Sequence, residues 1–121
     1  MRIHHVNVVV PPGGTDSVVG FYSDVLGLTR VAKPTEGVDR SGAWFDIDDT
    51  TQVHVSERNG AVHPQSHFGL VVDDFDAVLA RVRDSGAPWD DQADIFGGRR
   101  GFTRDPAGNR IELIERAGRL A

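Results

Sequence analysis

An internal near-repeat constrains the fold of this 121-residue chain more than any other feature of its sequence. Each half begins with a run of β-branched residues typical of a strand, over 3–10 in the first half and 67–72 in the second. A segment with apolar residues at helical spacing follows each run, and a glycine ends it, Gly27 in the first half and Gly86 in the second. Self-similarity of this kind indicates two copies of one supersecondary unit.

Capping residues support both predicted helices. In the first half a Pro-Pro-Gly-Gly breaker precedes Thr15 and Asp16, either of which is a suitable N-cap. In the second half Asp73 and Asp74 hold the corresponding position. The sequence therefore predicts one helix after the first strand of each half.

The segments that follow the two helices also match. Phe45 aligns with Phe102 and Asp48 with Asp105, and one extra residue in the second turn brings the last strands into line. The chain is therefore predicted to be a single α+β domain, residues 1–121, built from two tandem βαβββ modules. Its divisions are module one at 1–58, a linker at 59–65, module two at 66–116 and a tail at 117–121.

The repeat also aligns residues that can bind a metal. His5 falls on His67, and His54 falls on Glu112. Because alternate strand residues face opposite ways, all four lie on the face opposite the apolar core positions. If a pseudo-two-fold axis relates the modules, these positions converge on it and form a metal site. The same polar face carries Asn7, Gln52, Ser56, Gly69 and Arg110.

Composition excludes several classes of function. The absence of cysteine excludes a disulfide framework, a thiol nucleophile and an iron–sulfur cluster. A formal net charge of −5 argues against a nucleic-acid-binding protein, which needs a surplus of basic residues on one face. The sequence has neither an apolar run of about 20 residues nor a signal-peptide pattern, so we expect a cytoplasmic protein with no membrane partner.

Taken in order, five segments resemble the vicinal-oxygen-chelate superfamily, which includes glyoxalase I, methylmalonyl-CoA epimerase, bleomycin-binding proteins and extradiol dioxygenases. The resemblance implies a cup-shaped mixed β-sheet formed by two βαβββ modules with helices on the outside. It also implies a divalent metal, a small-molecule substrate and a homodimer. The segments are HHVNVVV at 4–10, FYSDVLGL at 21–28, WFDIDDTTQVHV at 44–55, SHFGLVVDDFD at 66–76 and DPAGNRIELIE at 105–115.

The resemblance assigns the metal ligands residue by residue. The first-strand histidine of the family matches His5, its second-module histidine matches His67, and its last-strand glutamate matches Glu112. The fourth family position is a glutamate in glyoxalase I and a glutamine in the epimerase, but it is His54 here. His54 is thus either a ligand or a residue that contacts the substrate or supports a ligand. These ligand types suit Zn, Ni, Co, Fe or Mn.

Two classes of function follow. The first is a metal-dependent lyase or isomerase that stabilises an enolate of a small oxygen-chelating substrate, with Glu112 as the catalytic proton carrier. The second is a metal-free ligand-sequestering protein of the bleomycin-resistance type. Extradiol dioxygenase and epoxide-opening transferase activities are further alternatives. His54 disfavours the dioxygenase because it could fill a position that the dioxygenase triad leaves vacant. His54 and the absence of an evident cation-binding loop together disfavour the transferase.

Several other residues are candidates for substrate contact. Asn7 and Gln52 lie on the predicted polar face. The Arg99-Arg100 pair follows two glycines in a predicted loop, which either contacts an anionic substrate or, as is more common for such loops, is simply solvated. Phe102 either lines an apolar pocket or belongs to the core. For Ser56 and Arg110, cross-strand pairing is the favoured interpretation.

Overall fold

A computed structural model describes residues 1–118 of the chain, which divides into two compact units, Met1–Val62 and His63–Ala121. Each unit has the element order βαβββ. The first contains β1 His5–Val10, α1 Thr15–Gly20, β2 Thr29–Val31, β3 Ala43–Asp46 and β4 Gln52–Glu57. The second contains β5 His67–Val71, α2 Phe75–Asp84, β6 Asp90–Gln92, β7 Arg100–Arg104 and β8 Arg110–Ile114.

Each unit forms its own four-stranded mixed sheet. The strand orders are β1-β4-β3-β2 and β5-β8-β7-β6. In both sheets the first and last strands of the unit pair in parallel, and the remaining neighbours are antiparallel. The predicted α+β class and the two βαβββ-like modules are confirmed.

Most of the predicted apolar core positions of each unit are buried on one face of its sheet and on its helix, as the alternation predicts. The core of the first unit includes Val8, Val10, Val18, Tyr22, Phe45, Val53 and Val55. The core of the second unit includes Leu70, Phe75, Val78, Val82, Ile111 and Leu113.

The two helices begin differently. Asp74 caps α2 by accepting a hydrogen bond from the backbone N–H of Ala77, as predicted. The predicted side-chain cap of α1 is wrong: its N-cap is Gly14, and Thr15 is already helical, with its hydroxyl donating to Glu57. Beyond α1 the chain continues as a π-helical segment, Phe21–Val25.

The strand register corrects the internal alignment by one residue. On β3 and β4 Trp44 lies opposite His54, and on β7 and β8 Phe102 lies opposite Glu112. Phe102 therefore corresponds to Trp44, not to Phe45, and the second hairpin needs no extra residue. Matching Phe to Phe was misleading because Phe45 is a core residue with 0% exposure, whereas Phe102 packs against a polar residue, His67.

Candidate functional site

The two units place their candidate ligands at equivalent positions of equivalent strand pairs. Where β1 and β4 pair in parallel, His5 lies opposite Gln52, and His54 is two residues farther along β4. Where β5 and β8 pair, His67 lies opposite Arg110, and Glu112 is two residues farther along β8. Within each unit, one ligand candidate from the first strand therefore neighbours one from the last.

In the first unit three rings form a column. The Trp44 and His54 rings stack with centroids 4.1 Å apart and planes 4° apart. On its other side His54 stacks on His5, again at 4.1 Å, with planes 16° apart. His4 then contacts the edge of His5, and their Nδ1 atoms are 2.9 Å apart. The alternation rule did not predict this contact, because His4 precedes the first strand.

His54 is held both by this column and by a chain of hydrogen bonds. Its Nε2 lies 2.9 Å from Oε1 of Gln52, whose Nε2 donates to the Asp46 carboxylate at 2.8 Å. His54 is 8% exposed, and this burial, with the nearby His5, His4 and Lys33, lowers its pKa to about 4. The imidazole is therefore neutral at pH 7.

The remaining polar residues of this face pair across strands. Ser56 Oγ donates to Asn7 Oδ1 at 2.7 Å, which confirms the cross-strand interpretation of Ser56. One lone pair of the Asn7 carbonyl oxygen is therefore already used.

In the second unit the orientation of His67 is fixed by the main chain. Nδ1 of His67 lies 2.9 Å from the carbonyl oxygen of Gln65, and because a carbonyl only accepts, Nδ1 must be the donor. The neutral ring then has its free lone pair on Nε2, which lies 3.9 Å from Oε2 of Glu112. The edge of Phe102 packs against the same ring, with centroids 4.9 Å apart.

Glu112 and Arg100 form a buried ion pair. Nη1 of Arg100 donates to Oε1 of Glu112 at 2.7 Å, and their side chains are 13% and 9% exposed. Arg100 is held further by its Nε, which donates to the carbonyl of Ala93, and by the ring of Phe96 below its guanidinium. Arg100 is the first residue of β7. The sequence had suggested a loop at this position, and that prediction is wrong for Arg100.

The neighbouring Arg99 has different partners. Its guanidinium donates to the exposed Asp76 and the partly buried Glu115, and lies over the ring of Phe75. These hydrogen bonds lower the pKa of both carboxyl groups. Arg110 instead lies over the ring of Phe102, 3.5 Å from its centroid, and donates to Gln65.

The donor atoms of the second unit fit a divalent metal ion. An imidazole nitrogen and a carboxylate oxygen are common ligands with bonds of about 2.0–2.2 Å, so two ligands of one ion lie roughly 3–4 Å apart. The 3.9 Å between His67 Nε2 and Glu112 Oε2 is within this span. A histidine whose other nitrogen donates to a carbonyl is also the usual arrangement of a metal ligand.

The histidine pair of the first unit fits less simply. The rings of His5 and His54 are nearly parallel and stacked, so their in-plane lone pairs lie in two nearly parallel planes and do not converge. For both to bind one ion, one ring has to turn. Within residues 1–118, neither unit by itself brings three or more His, Asp or Glu side chains together as a metal site.

Comparison with known families identifies the fold. Residues 2–113 match the family described as the Glyoxalase/Bleomycin resistance protein/Dioxygenase superfamily. The chain belongs to this superfamily. Its members often bind divalent metals. No curated protein matches the sequence significantly.

Several solved structures are similar over nearly the whole chain. A protein from Bacillus anthracis described as a glyoxalase family member shares 27% identity, with a TM-score of 0.83 and 93% of each chain covered. The antibiotic-binding protein TnmS3 from Streptomyces sp. CB03234 shares 24% identity, with a TM-score of 0.73 and 94% of each chain covered. Lactoylglutathione lyase from Agrobacterium tumefaciens also shares 24% identity, with a TM-score of 0.71 and coverage of 93% of this chain and 91% of the other. The last two similarities concern the fold alone.

None of the helices described within residues 1–118 is long and apolar enough to cross a membrane.

Proposed function

We propose that the protein is a glyoxalase-like metalloenzyme, a divalent-metal-dependent lyase or isomerase that acts on a small oxygen-chelating substrate. The pair formed by His67 and Glu112 carries this proposal. The Gln65 carbonyl leaves Nε2 of His67 as its free ring nitrogen, and Oε2 of Glu112 lies 3.9 Å away. A bound divalent ion would supply Lewis-acid chemistry, polarising a chelated oxygen and stabilising the negative charge that develops there.

We propose His5, His54, His67 and Glu112 as the ligands. The family resemblance supports this set, and so do the equivalent register positions of the two pairs. The low pKa of His54 adds support, because a histidine must be neutral to bind a metal. Three neutral imidazoles and one carboxylate leave about one positive charge on the ion, which favours an anionic substrate.

Glu112 is also the proposed proton carrier. Arg100 holds one of its oxygens, Oε1, in a 2.7 Å hydrogen bond, which leaves Oε2 to accept a proton or to bind the ion. Because its carbon chain is buried and its carboxylate is anchored at one side, the free oxygen is kept in a defined position. A positioned carboxylate of this kind can act as a general base.

Arg100 is the proposed contact for a negatively charged group of the substrate. Its Nε and Nη1 have partners, and the structure shows no hydrogen bond from Nη2 to the described residues. Asn7, Gln52 and Phe102 remain proposed contacts on the same polar faces. We do not extend the proposal to Arg99, because Asp76 and Glu115 already hold its guanidinium.

The test is metal content. Protein purified without an affinity tag, then supplied with each candidate metal and desalted, is expected to retain about one ion per chain. His67→Ala and Glu112→Gln are expected to lose the ion, and His5→Ala to weaken its binding, while the exposed control Glu36→Gln retains it. A wild-type protein that retains none of these metals would contradict the proposal.

A metal-free ligand-binding protein is the second candidate, favoured by one observation. The column of Trp44, His54 and His5 places aromatic rings on a polar face, and the exposed ring of His5 at its end is one against which a planar ligand can stack. Calorimetry with planar antibiotics, in the presence of a chelator, distinguishes the candidates. Tight binding that survives the chelator supports the second candidate, and the absence of binding counts against it.

We also propose a homodimer, on the family resemblance alone. Analytical ultracentrifugation at several concentrations tests it, and a sedimentation mass equal to one chain at all of them would contradict it.

A further inference from the structure

We propose that Asp46 acts through Gln52 to fix the tautomer of His54, with the hydrogen on Nε2 and the free lone pair on Nδ1. Asp46 is thus a positioning residue. The conclusion that an ion or a substrate meets His54 at Nδ1 rests on the function proposed above, whereas the tautomer itself does not.

The tautomer follows from the order of donors and acceptors. An ionised Asp46 carboxylate can only accept, so the Gln52 group 2.8 Å away must be its NH2. The carbonyl oxygen of the Gln52 amide then faces His54 at 2.9 Å and can also only accept. Nε2 of His54 is therefore the donor, and the amide orientation is determined by the network.

The strand register holds all the members of this chain in place. On the antiparallel β3–β4 pair Asp46 lies opposite Gln52, and Trp44 lies opposite His54. Because the two residues of each strand are two positions apart, all four side chains share one face. Trp44 and His5 cover both sides of the His54 ring, so the ring stays within reach of Gln52.

The corresponding positions of the second unit do not form this hydrogen-bond chain. The positions that correspond to Asp46 and Gln52 are Arg104 and Arg110, two cations that face each other in the register. Arg104 donates to the carbonyls of Gly108 and Pro64, and Arg110 donates to Gln65. A main-chain carbonyl fixes the tautomer of His67, which is the opposite of the His54 tautomer and has the hydrogen on Nδ1. His54 and His67 therefore present different ring nitrogens, Nδ1 for His54 and Nε2 for His67.

The difference has a chemical consequence for His54. A ligand that binds at Nδ1 leaves the hydrogen bond to Gln52 intact and benefits from it, because the bond orients the ring and increases the basicity of the free nitrogen. A ligand that binds at Nε2 has to displace Gln52 and leaves Asp46 holding an amide with no second partner. Asp46 thus contacts no ligand itself and serves to orient the His54 ring in the site.

Nitrogen NMR of chelator-treated protein tests the tautomer. Long-range ¹H–¹⁵N correlation spectra distinguish protonated from unprotonated ring nitrogens, and the wild type is expected to show His54 with its hydrogen on Nε2. Asp46→Asn removes the obligatory acceptor, so the Gln52 amide can turn over and the Nδ1–H form is expected to become a large fraction. The exposed control Asp49→Asn is expected to leave the spectrum of His54 unchanged.

A double variant that moves the carboxylate from position 46 to position 52 is expected to restore the wild-type tautomer. In Asp46→Asn/Gln52→Glu the carboxylate lies next to His54 and accepts from Nε2, while the amide at position 46 donates to that carboxylate. The Nε2–H form is expected to return. A wild-type Nδ1–H tautomer, or a tautomer that does not respond to Asp46→Asn, would overturn the proposal. Well-dispersed amide spectra establish that each variant is folded.

Titration with Zn²⁺ tests the second step. The expected result is a large shift of the His54 Nδ1 resonance while Nε2 remains protonated. A shift of Nε2 with loss of its hydrogen overturns the assignment of Nδ1. If Zn²⁺ changes no histidine resonance, the metal-dependent function fails together with the ligand step, whereas the chelator-treated spectra still decide the tautomer.

Discussion

Trp44 and His54 face each other across the β3–β4 pair with their ring planes only 4° from parallel. The indole covers one side of a buried imidazole that His5 covers on the other. Stacked rings in this arrangement contribute to stability beyond the area that they bury.

Removing the indole should therefore cost stability. We expect Trp44→Ala to lower the free energy of unfolding by about 2 kcal/mol, because the half-buried ring and its stacking are both lost. Trp44→Phe keeps a ring opposite His54 and should cost less than half as much. Urea denaturation of both variants measures the difference, and equal losses would show that stacking on His54 contributes nothing.

Two adjacent arginines should differ strongly in their contributions. Arg100→Met leaves the buried Glu112 carboxylate without its ion-pair partner, and we expect a loss of about 3 kcal/mol. Arg99→Met removes two solvent-accessible ion pairs and a contact with the ring of Phe75, and should cost at most about 1 kcal/mol. Denaturant unfolding of both variants provides the measurement. The double variant Arg100→Met/Glu112→Leu should recover most of the larger loss, and a deficit that persists would mean that packing, not charge, causes it.

Two glycines with the same backbone conformation should respond differently to alanine. Gly42 and Gly37 both have φ of +78°, where an L side chain costs about 1–2 kcal/mol. At Gly42 a Cβ would also lie 2.1 Å from the carbonyl oxygen of Val55, whereas at Gly37 it would meet open space. We expect Gly37→Ala to lose about 1 kcal/mol and Gly42→Ala at least about 3 kcal/mol. Similar melting temperatures for the two variants would refute the predicted clash.

The stability that Glu57 contributes should depend on pH. Hydrogen bonds from the Thr15 hydroxyl and the Gly13 N–H lower the pKa of Glu57 below 4.5 in the folded state. As the pH falls, the unfolded chain therefore takes up the proton first, so the contribution is complete above about pH 4.5 and is lost through the lowered folded-state pKa.

Glu57→Gln tests this dependence by removing the charge. The stability difference between the wild type and Glu57→Gln should shrink as the pH is lowered from 7 to 3, measured by urea denaturation at each pH. Thr15→Val, which removes the largest cause of the shift, should reduce the same dependence. Stability curves for Glu57→Gln and the wild type that stay parallel over this range would contradict the prediction.

Much of the fold could be predicted because local signals agree with each other. The β-branched runs at 3–10 and 67–72 became β1 and β5, and most of the residues placed in the core by alternation are buried, whereas Val6, Phe68 and Val72 are partly buried. The helix positions followed from glycine stops and apolar spacing. The cap of α1 could not be predicted, because the Thr15 hydroxyl binds Glu57, 42 residues away in the sequence.

The candidate site was predictable only in part. The equivalence of His5 with His67 and of His54 with Glu112 followed from the repeat and agrees with the register. Asp46 was missed although the alternation through Trp44 to Asp46 places it on the polar face. The alignment of Phe45 with Phe102 obscured that pattern.

Two further features of the site could not be predicted, for different reasons. The role of Arg100 could not be predicted without knowing that β7 begins there, and the two preceding glycines indicated a loop instead of a strand. The hydrogen bond from His67 to the Gln65 carbonyl has no signal in the sequence at all, because every residue has a carbonyl.

That last contact determines how the linker can vary. Since a main-chain oxygen orients His67, that hydrogen bond does not depend on the side chain at position 65, whose own partner is Arg110, but it does depend on the path of the backbone immediately before β5. In homologous chains we therefore expect the linker upstream of this point to vary in length and sequence, whereas the point at which it enters β5 is conserved. In alignments this would appear as a variable stretch that ends abruptly two residues before the histidine.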